Sequence, residues 1–504
     1  MNGNYYDVVV MGMELGPLVA GTLLAKRGFR VLAVGQGGAS DYYNCYGYTF
    51  TNRPFIITAA YSPVIGRVLD ELSLTPTFQQ ITKIPSPLFQ IVSPHARVNV
   101  FEAPDKTEKE IIRELQSDTQ DTKGILRMLG ELGSEVKKLL DTDLVIPPET
   151  FFERREFSRA EVQNPFYMTG NQDPYHKVGA RGQLKELLNV PVRWETAGTI
   201  DVAPLVTCRQ ISGWFFGTQS IQNGRDGLRR LLLDKIINQG GDVYPDQTVT
   251  SLILSKGKIN AIRLRDHDEP TGCQIVLTDL SPKEIAPLIS PDVWPKRFRA
   301  LVEDTPRSAL GYSLNLGLDP EVIPAGLAQT AFVSFGKGIG DQLVRIEQIP
   351  QNDKTKAALN ISCIVSSDEE SQIETGALRD ALLDRIRQIV PFLDNYLHVV
   401  HSPFDAFGPL VISGNAEGDA PAIPRPEEVP KWLLRTPPDN GALGVENLPH
   451  RTGVKGLFLA GSQVVSGLGT EGEFLAAWGA ARIASKMDPS RERLVRSMRS
   501  KIEV

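Results

Sequence analysis

Cysteine and histidine are scarce: four of the first and six of the second in 504 residues. Cys45, Cys208, Cys273 and Cys363 lie far apart, with no CxxC pair and no metal-ligand spacing. That excludes a disulfide framework and the usual zinc arrangements, and a reducing, cytoplasmic setting is expected. Neither sign of charge dominates: 54 Lys and Arg against 60 Asp and Glu give a net charge of −6. Nothing in that balance calls for nucleic acid. Long apolar runs are missing too. Residues 8–25 come nearest, but Glu14, Gly16 and Pro17 interrupt them and no Lys or Arg precedes them. Neither a signal peptide nor a bilayer span is expected. GxSxG, P-loop and metal-ligand motifs do not occur. No internal repeat is visible. In YLHVVHSP, His398 and His401 are three apart, which on a regular strand puts them on opposite faces and rules out a shared metal.

What the chain does have is a strand, a glycine turn, an apolar helix and a second strand in DVVVMGMELGPLVAGTLLAKRGFRVLAVGQ, Asp7 to Gln36. The pattern predicts strands over 7–11 and 30–35 and a helix over 16–27. Residues 104–142 have helical spacing and high charge and read as exposed helices covering something. An amphipathic helix follows within 219–243, stopped by Gly240-Gly241. Next come short alternating strands turning at Lys256-Gly257, and a strand entering a helix at Ser281-Pro282. Residues 415–441, rich in Pro, Gly and acids, predict a long surface connection. GVKGLFLAGSQVVSGLGTEGEFLAAWGAARIASK then gives a strand, a glycine-rich loop and a long helix. Dinucleotide-like elements thus stand at the start, middle and end of the chain.

Four blocks in this order resemble the flavin-dependent phytoene desaturase-like family over nearly the whole length. They are Gly12 and Gly16 with LVAGTLLAKRGFRVL, GRDGLRRLLLDKIINQGGDV with Val249 and Leu252, TDLSP at 278–282, and Gly456–Gly472. The wider superfamily includes amine oxidases and the Rab GDP dissociation inhibitors, which keep the architecture without flavin chemistry and bind prenylated proteins. The resemblance implies an α/β fold: a Rossmann-like FAD/NAD(P)-binding domain of discontinuous segments, with a second α+β domain of sheet and helical cover around an apolar tunnel. The expected division is 1–100, 219–290 and 441–488 for the first domain, 101–218 and 291–440 for the second, and 489–504 as a tail.

The same resemblance makes departures at the cofactor positions visible. Gly12 keeps the sharp turn and Gly16 follows it, but Glu14 stands where the family keeps a glycine against the pyrophosphate. A carboxylate about 4 Å from a phosphate charge costs on the order of 4 kcal/mol at a surface-like dielectric. Nanomolar affinity totals only about 12 kcal/mol. Two readings of Glu14 stay open: it swings to solvent, or it closes the helix end itself. Pro17 suits a first helical turn but removes a donor. Gly35 replaces the acid expected on the adenosine ribose, with Gln36 as a weaker substitute, unless Gly35 merely begins a turn. Val249 is the expected adenine contact or ordinary core. Ser462 replaces the aspartate after AG, and Ser466 the usual proline. Gly472 is followed by Glu473, either a favourable charge in a first helical turn or a group that denies the site to a flavin.

After Pro489, Leu494, Val495, Met498 and Ile502 share one helical face, amid Arg491, Arg493, Arg496, Arg499 and Lys501. Such a tail suits an anionic membrane surface or plain packing on its own domain. The loop at 334–341 reads as a flexible turn, and the aromatic run at 42–50 as core packing or pocket lining. The expectation from sequence is a non-catalytic relative with no bound cofactor and no catalytic residue. It would bind an apolar isoprenoid or lipid ligand or a protein partner, with possible peripheral membrane contact through the tail. The alternative is an FAD-dependent oxidoreductase acting on such an apolar substrate.

Overall fold

The computed structural model describes residues 5–38, 40–115, 121–166, 172–198, 202–305, 308–338, 342–365, 375–404, 408–412, 418–420, 432–435 and 443–487. The tail at 489–504 and most of the connection at 415–441 lie outside these residues. Strand Tyr5–Met11 reads YYDVVVM, and the β-branched run Val8 to Val10 is fully buried. Burial on both faces is the condition of a central parallel strand, which explains a continuous rather than alternating apolar pattern. Parallel neighbours stand on both sides: Val31–Val34 and then Asp242–Tyr244 on one, Thr271–Thr278 and then Leu457–Leu459 on the other. The hairpin Val249–Ser255/Lys258–Leu264 turns at Lys256-Gly257 and pairs antiparallel with the first residues of Thr271–Thr278.

The opening helix, Leu15–Lys26, has eleven of its twelve residues buried. It touches the helices Gly224–Asn238 and Gly469–Ser485 as well as the sheet, so no polar face remains in its sequence. Two glycines permit this approach. A Cβ on Gly16 would lie 2.3 Å from the Gly461 Cα, and one on Gly21 would meet Val10 at 2.3 Å. Gly16 and Gly21 are therefore required by close packing of the helix, whatever the turn before it holds.

The second sheet runs in the order Leu410–Val411, Leu397–His401, Ser308–Leu318, Ala357–Val365, Leu343–Ile349, Thr330–Ser334, Phe89–Val92, Arg97–Val100, with Trp432–Arg435 also on Ser308–Leu318. Strands 89–100, grouped on sequence with the first domain, enter this sheet through parallel pairing of Phe89–Val92 with Thr330–Ser334. Helices Pro104–Glu114, Thr122–Leu140, Gly182–Glu195 and Pro204–Gly217 cover it. Between helices and sheet the rings of Phe89, Trp214, Phe215 and Phe332 pack edge to face, with centroids 5.1–5.9 Å apart. No described helix is long and apolar enough to cross a membrane.

Candidate functional site: a charged cluster at the dinucleotide positions

Glu14 is the N-cap residue of the opening helix, in extended conformation, yet its side chain caps nothing. The expectation that it fills the helix end is thus corrected. Its carboxylate accepts from Arg53 at 2.6 Å and Arg225 at 3.1 Å, with Arg229 at 3.5 Å. Three full positive charges outbid the half-charge of a helix end. Burial works against ionisation of Glu14, but Arg53, Arg225 and Arg229 outweigh it and hold the carboxyl well below the usual carboxylate range. Glu14 is therefore not turned freely to solvent. Beside it Gly12 keeps φ 103°, and the space where its Cβ would sit is clear of atoms to 4 Å.

The arginines are themselves tied down. Arg229 donates to the Met13 carbonyl at 2.8 Å and pairs with Asp226 at 2.8 Å and Asp41 at 3.2 Å. Arg53 reaches Asp41 at 3.1 Å. Arg225 stacks over Phe55 and pairs with Glu473. Sequence reasoning passed over all three arginines, though a signal was there. Arg225 and Arg229 share the buried stripe of Gly224–Asn238 with Leu228, Leu232 and Ile236. A cation on an apolar stripe needs a buried partner.

At the ribose position a side chain is impossible. A Cβ on Gly35 would lie 1.6 Å from the Pro245 carbonyl oxygen. Gly35 does begin a turn, its carbonyl accepting from the Gly38 N–H at 3.0 Å; its own N–H bonds the Tyr244 carbonyl at 2.9 Å, and that of Gln36 bonds the Gln247 carbonyl at 2.9 Å. Gln36 adopts φ 57°, and its amide makes two bonds to Val249: it accepts from the Val249 N–H at 2.8 Å and donates to the Val249 carbonyl at 3.1 Å. Val249, the expected adenine contact, thus has its backbone N–H and carbonyl engaged by the chain's own amide. Val249 is also core, 1 % exposed.

Ser462 meets an aspartate just past the end of strand Thr271–Thr278. Asp279 accepts from the Ser462 hydroxyl at 2.7 Å and the Gln463 N–H at 2.9 Å. Burial raises its pKa to about 8. Ser466 is buried with its hydroxyl unpartnered. Gly472 packs where a Cβ would meet the Val465 carbonyl at 2.4 Å. The following helix begins at Gly469, so its first-turn acid is Glu471, and Glu473 falls in the second turn. That corrects the placement of Glu473 as an end-charge. Glu471 is bound by Arg209 through two bonds of 2.6 and 2.7 Å. Glu473 has Arg225 on one oxygen and no partner on the other. Burial pushes its carboxyl above the usual range, with Arg225 opposing and Glu14 reinforcing the shift.

Toward the second sheet the charged character continues. Glu195 accepts from the Trp214 indole at 3.1 Å, Arg345 pairs with Glu347 at 2.5 Å, and burial raises both carboxyls. These residues were not anticipated; each sits alone in an unremarkable stretch, and only the fold brings them together. His398 and His401, expected on opposite faces, both reach the hairpin Tyr42–Cys45/Tyr48–Thr51. His398 meets Tyr48 at 2.9 Å and His401 meets Tyr43 at 2.7 Å. A register shift beside Leu318 breaks the strand alternation that the expectation relied on. The hairpin buries Cys45, Tyr48 and Phe50 as core. No described cluster of His, Cys, Asp and Glu has a metal-holding arrangement. The four thiols are buried and free, and burial raises each to about 12.

No family model matches the chain. It is 23 % identical over 337 residues to the chloroplastic prolycopene isomerase of Daucus carota, covering 63 % of this chain and 53 % of that one. It is 21 % identical over 336 residues to a 4,4'-diapophytoene desaturase (4,4'-diapolycopene-forming) of Methylomonas sp, covering 63 % and 62 %. The aligned part is thus between half and two thirds of these relatives' length. Among solved structures, an oxidoreductase from Methanosarcina mazei superposes with a TM-score of 0.60 at 14 % identity, covering 94 % of this chain and all of that one.

Proposed function

We propose that this chain, a member of the phytoene desaturase-like superfamily by fold and distant sequence similarity, works without flavin, as a non-catalytic protein that binds an apolar ligand or a protein partner. One observation carries the reading: Glu14 is held at the pyrophosphate position by Arg53, Arg225 and Arg229. The neighbouring positions agree with it. The ribose acid is replaced by a glycine that admits no side chain, and Gln36 takes both hydrogen-bonding groups of Val249. Ser462 is bound to Asp279, and Glu473, in the second turn of helix Gly469–Ser485, adds a buried carboxyl beside Arg225 and Glu14. These residues do not fit FAD, and no chemical step is assigned to it. The ligand class follows from the relatives, whose names give prolycopene and 4,4'-diapophytoene as what they act on. An isoprenoid or similar lipid is the ligand of first choice.

A second reading, an FAD-dependent oxidoreductase, is favoured by the clear space beside Gly12 and by the arginines, which would suit phosphate if Glu14 moved aside. Calorimetric titration with FAD and with ADP separates the two. The first reading expects no binding to the wild-type protein at micromolar concentration, and weak ADP binding once Glu14→Gly and Gln36→Ala are combined. Submicromolar FAD binding by the wild type would establish the second.

A further inference from the structure

Helix Phe151–Gln163 carries two of its three phenylalanines on the outside. Phe151 and Phe152 are 73 % and 72 % exposed, and Val162 is 82 % exposed. The two rings pack edge to face on each other, with centroids 5.7 Å apart. Aromatic side chains of this size each carry about 150–250 Å² of surface, so water meets a sizeable apolar knob here.

The helix is not loosely attached, so this exposure is a fixed feature of the fold. Thr150 and Glu153 form a capping box at its start. Glu153 is gripped by Arg451 at 2.6 and 3.1 Å, and Phe157 and Ala160 fill the inner face. Glu156 takes Arg482 at 3.0 Å. With those two acids turned to internal partners, the outer face is left with Arg154, Arg155, Ser158 and Arg159 around the phenylalanines, against one exposed acid, Glu161. Arg154 donates to the Glu149 carbonyl at 3.3 Å. Arg155 and Arg159 have no ion pair among the described residues.

We propose that this face is a docking surface for an anionic lipid bilayer, with Phe151 and Phe152 entering the headgroup region and Arg155 and Arg159 meeting lipid phosphates. Aromatic residues set among exposed cations are the combination that interfacial binding requires. Charge complementarity selects the occupant: Arg154, Arg155 and Arg159 surround the exposed phenylalanines against one exposed acid, Glu161. Basic groups set around apolar side chains suit an extended anionic surface. The surface is separate from the charged cluster at Glu14 and stands whether or not flavin binds there.

The test is co-sedimentation of the full-length protein with vesicles of phosphatidylcholine containing one quarter phosphatidylserine, and with pure phosphatidylcholine vesicles. The wild type is expected to sediment with the first and to be released by salt. Phe151→Ser/Phe152→Ser should weaken the partition at least about tenfold, from the apolar surface no longer inserted. Arg155→Glu/Arg159→Glu should do the same, since each basic contact near an anionic surface is worth about a fivefold weakening. Both variants change exposed residues and should melt with the wild type, which separates lost binding from lost folding. Unchanged sedimentation of both variants would overturn the proposal and leave residues 489–504 as the attachment. So would a wild type that ignores anionic vesicles, or light scattering showing that the phenylalanines hold two copies of the chain together.

Discussion

Glu14, the N-cap of one helix, and Glu473, in the second turn of another, share one cation, Arg225, yet their electrostatics are opposite. Glu14 has three arginines and is held ionised. Glu473 is more deeply buried, has one arginine on one oxygen, and faces Glu14 and other acids, so its charged form is disfavoured. The same side chain therefore meets different surroundings at the two positions. Glu14 joins an arginine cluster that also pairs with Asp41, Asp226 and Glu473. At the ring position the second carboxylate is tolerated because Arg225 reaches both. If that account is right, the charge at Arg225 couples the two positions, and perturbing it should have the largest effect.

Arg225→Met is expected to cost about 3–5 kcal/mol in urea denaturation, the usual consequence of removing one partner of a buried ion pair. Adding Glu473→Gln to that variant should restore part of the loss, because the stranded carboxylate is then gone. Independent, additive effects of the two changes would break the proposed coupling.

Asp279 supplies the next largest effect, through pH. Its folded pKa is raised to about 8 by burial, against about 3.9 in an unfolded chain. The folded state therefore binds the proton more tightly. The stability this contributes is complete in acid below the unfolded value and is lost as pH rises toward 8. Asp279→Asn should flatten that decline between about pH 4 and 8, read as melting temperature against pH. Parallel profiles for the two proteins would show that Asp279 is not the group responsible.

Smallest, and most direct for the comparison, is the pair of neutral substitutions. Glu14 has its folded pKa depressed, so its contribution exists above the ordinary carboxylate range and is lost as pH falls through it and below. Glu14→Gln should cost about 1 kcal/mol at neutral pH, in keeping with a partly exposed ion pair, and the gap should close in acid. Glu473 has its folded pKa raised, so Glu473→Gln should match or exceed wild-type stability at neutral pH and lose that advantage in acid. Like-signed pH responses from the two substitutions would contradict the contrast drawn above.

Much of the frame was legible in the sequence because its signals are local. The β-branched run at Val8, the glycines at 16 and 21 and the Lys256-Gly257 turn each encode their own element. The departures from the flavin pattern at Glu14, Gly35, Ser462 and Glu473 were legible for the same reason. What those residues do instead was not. Glu14 meets Arg53 and Arg225 across 39 and 211 positions, and Ser462 meets Asp279 across 183. No spacing rule reaches so far. Gly35 shows the limit most plainly: the turn it begins was legible, whereas the Pro245 carbonyl pressed against it, which admits no side chain, was not. His398 and His401 failed for a local reason, a register shift that sequence alternation does not reveal.

The central claim concerns what occupies the positions around Glu14, and flavin content tests it most directly. The full-length protein is purified from flavin-replete cells without added cofactor, its absorbance near 450 nm is recorded, and the supernatant after denaturation is assayed for FAD. The account predicts a colourless protein and no released flavin. FAD recovered at one equivalent per chain would contradict it, and would mean that Glu14 leaves its arginines to let the pyrophosphate in.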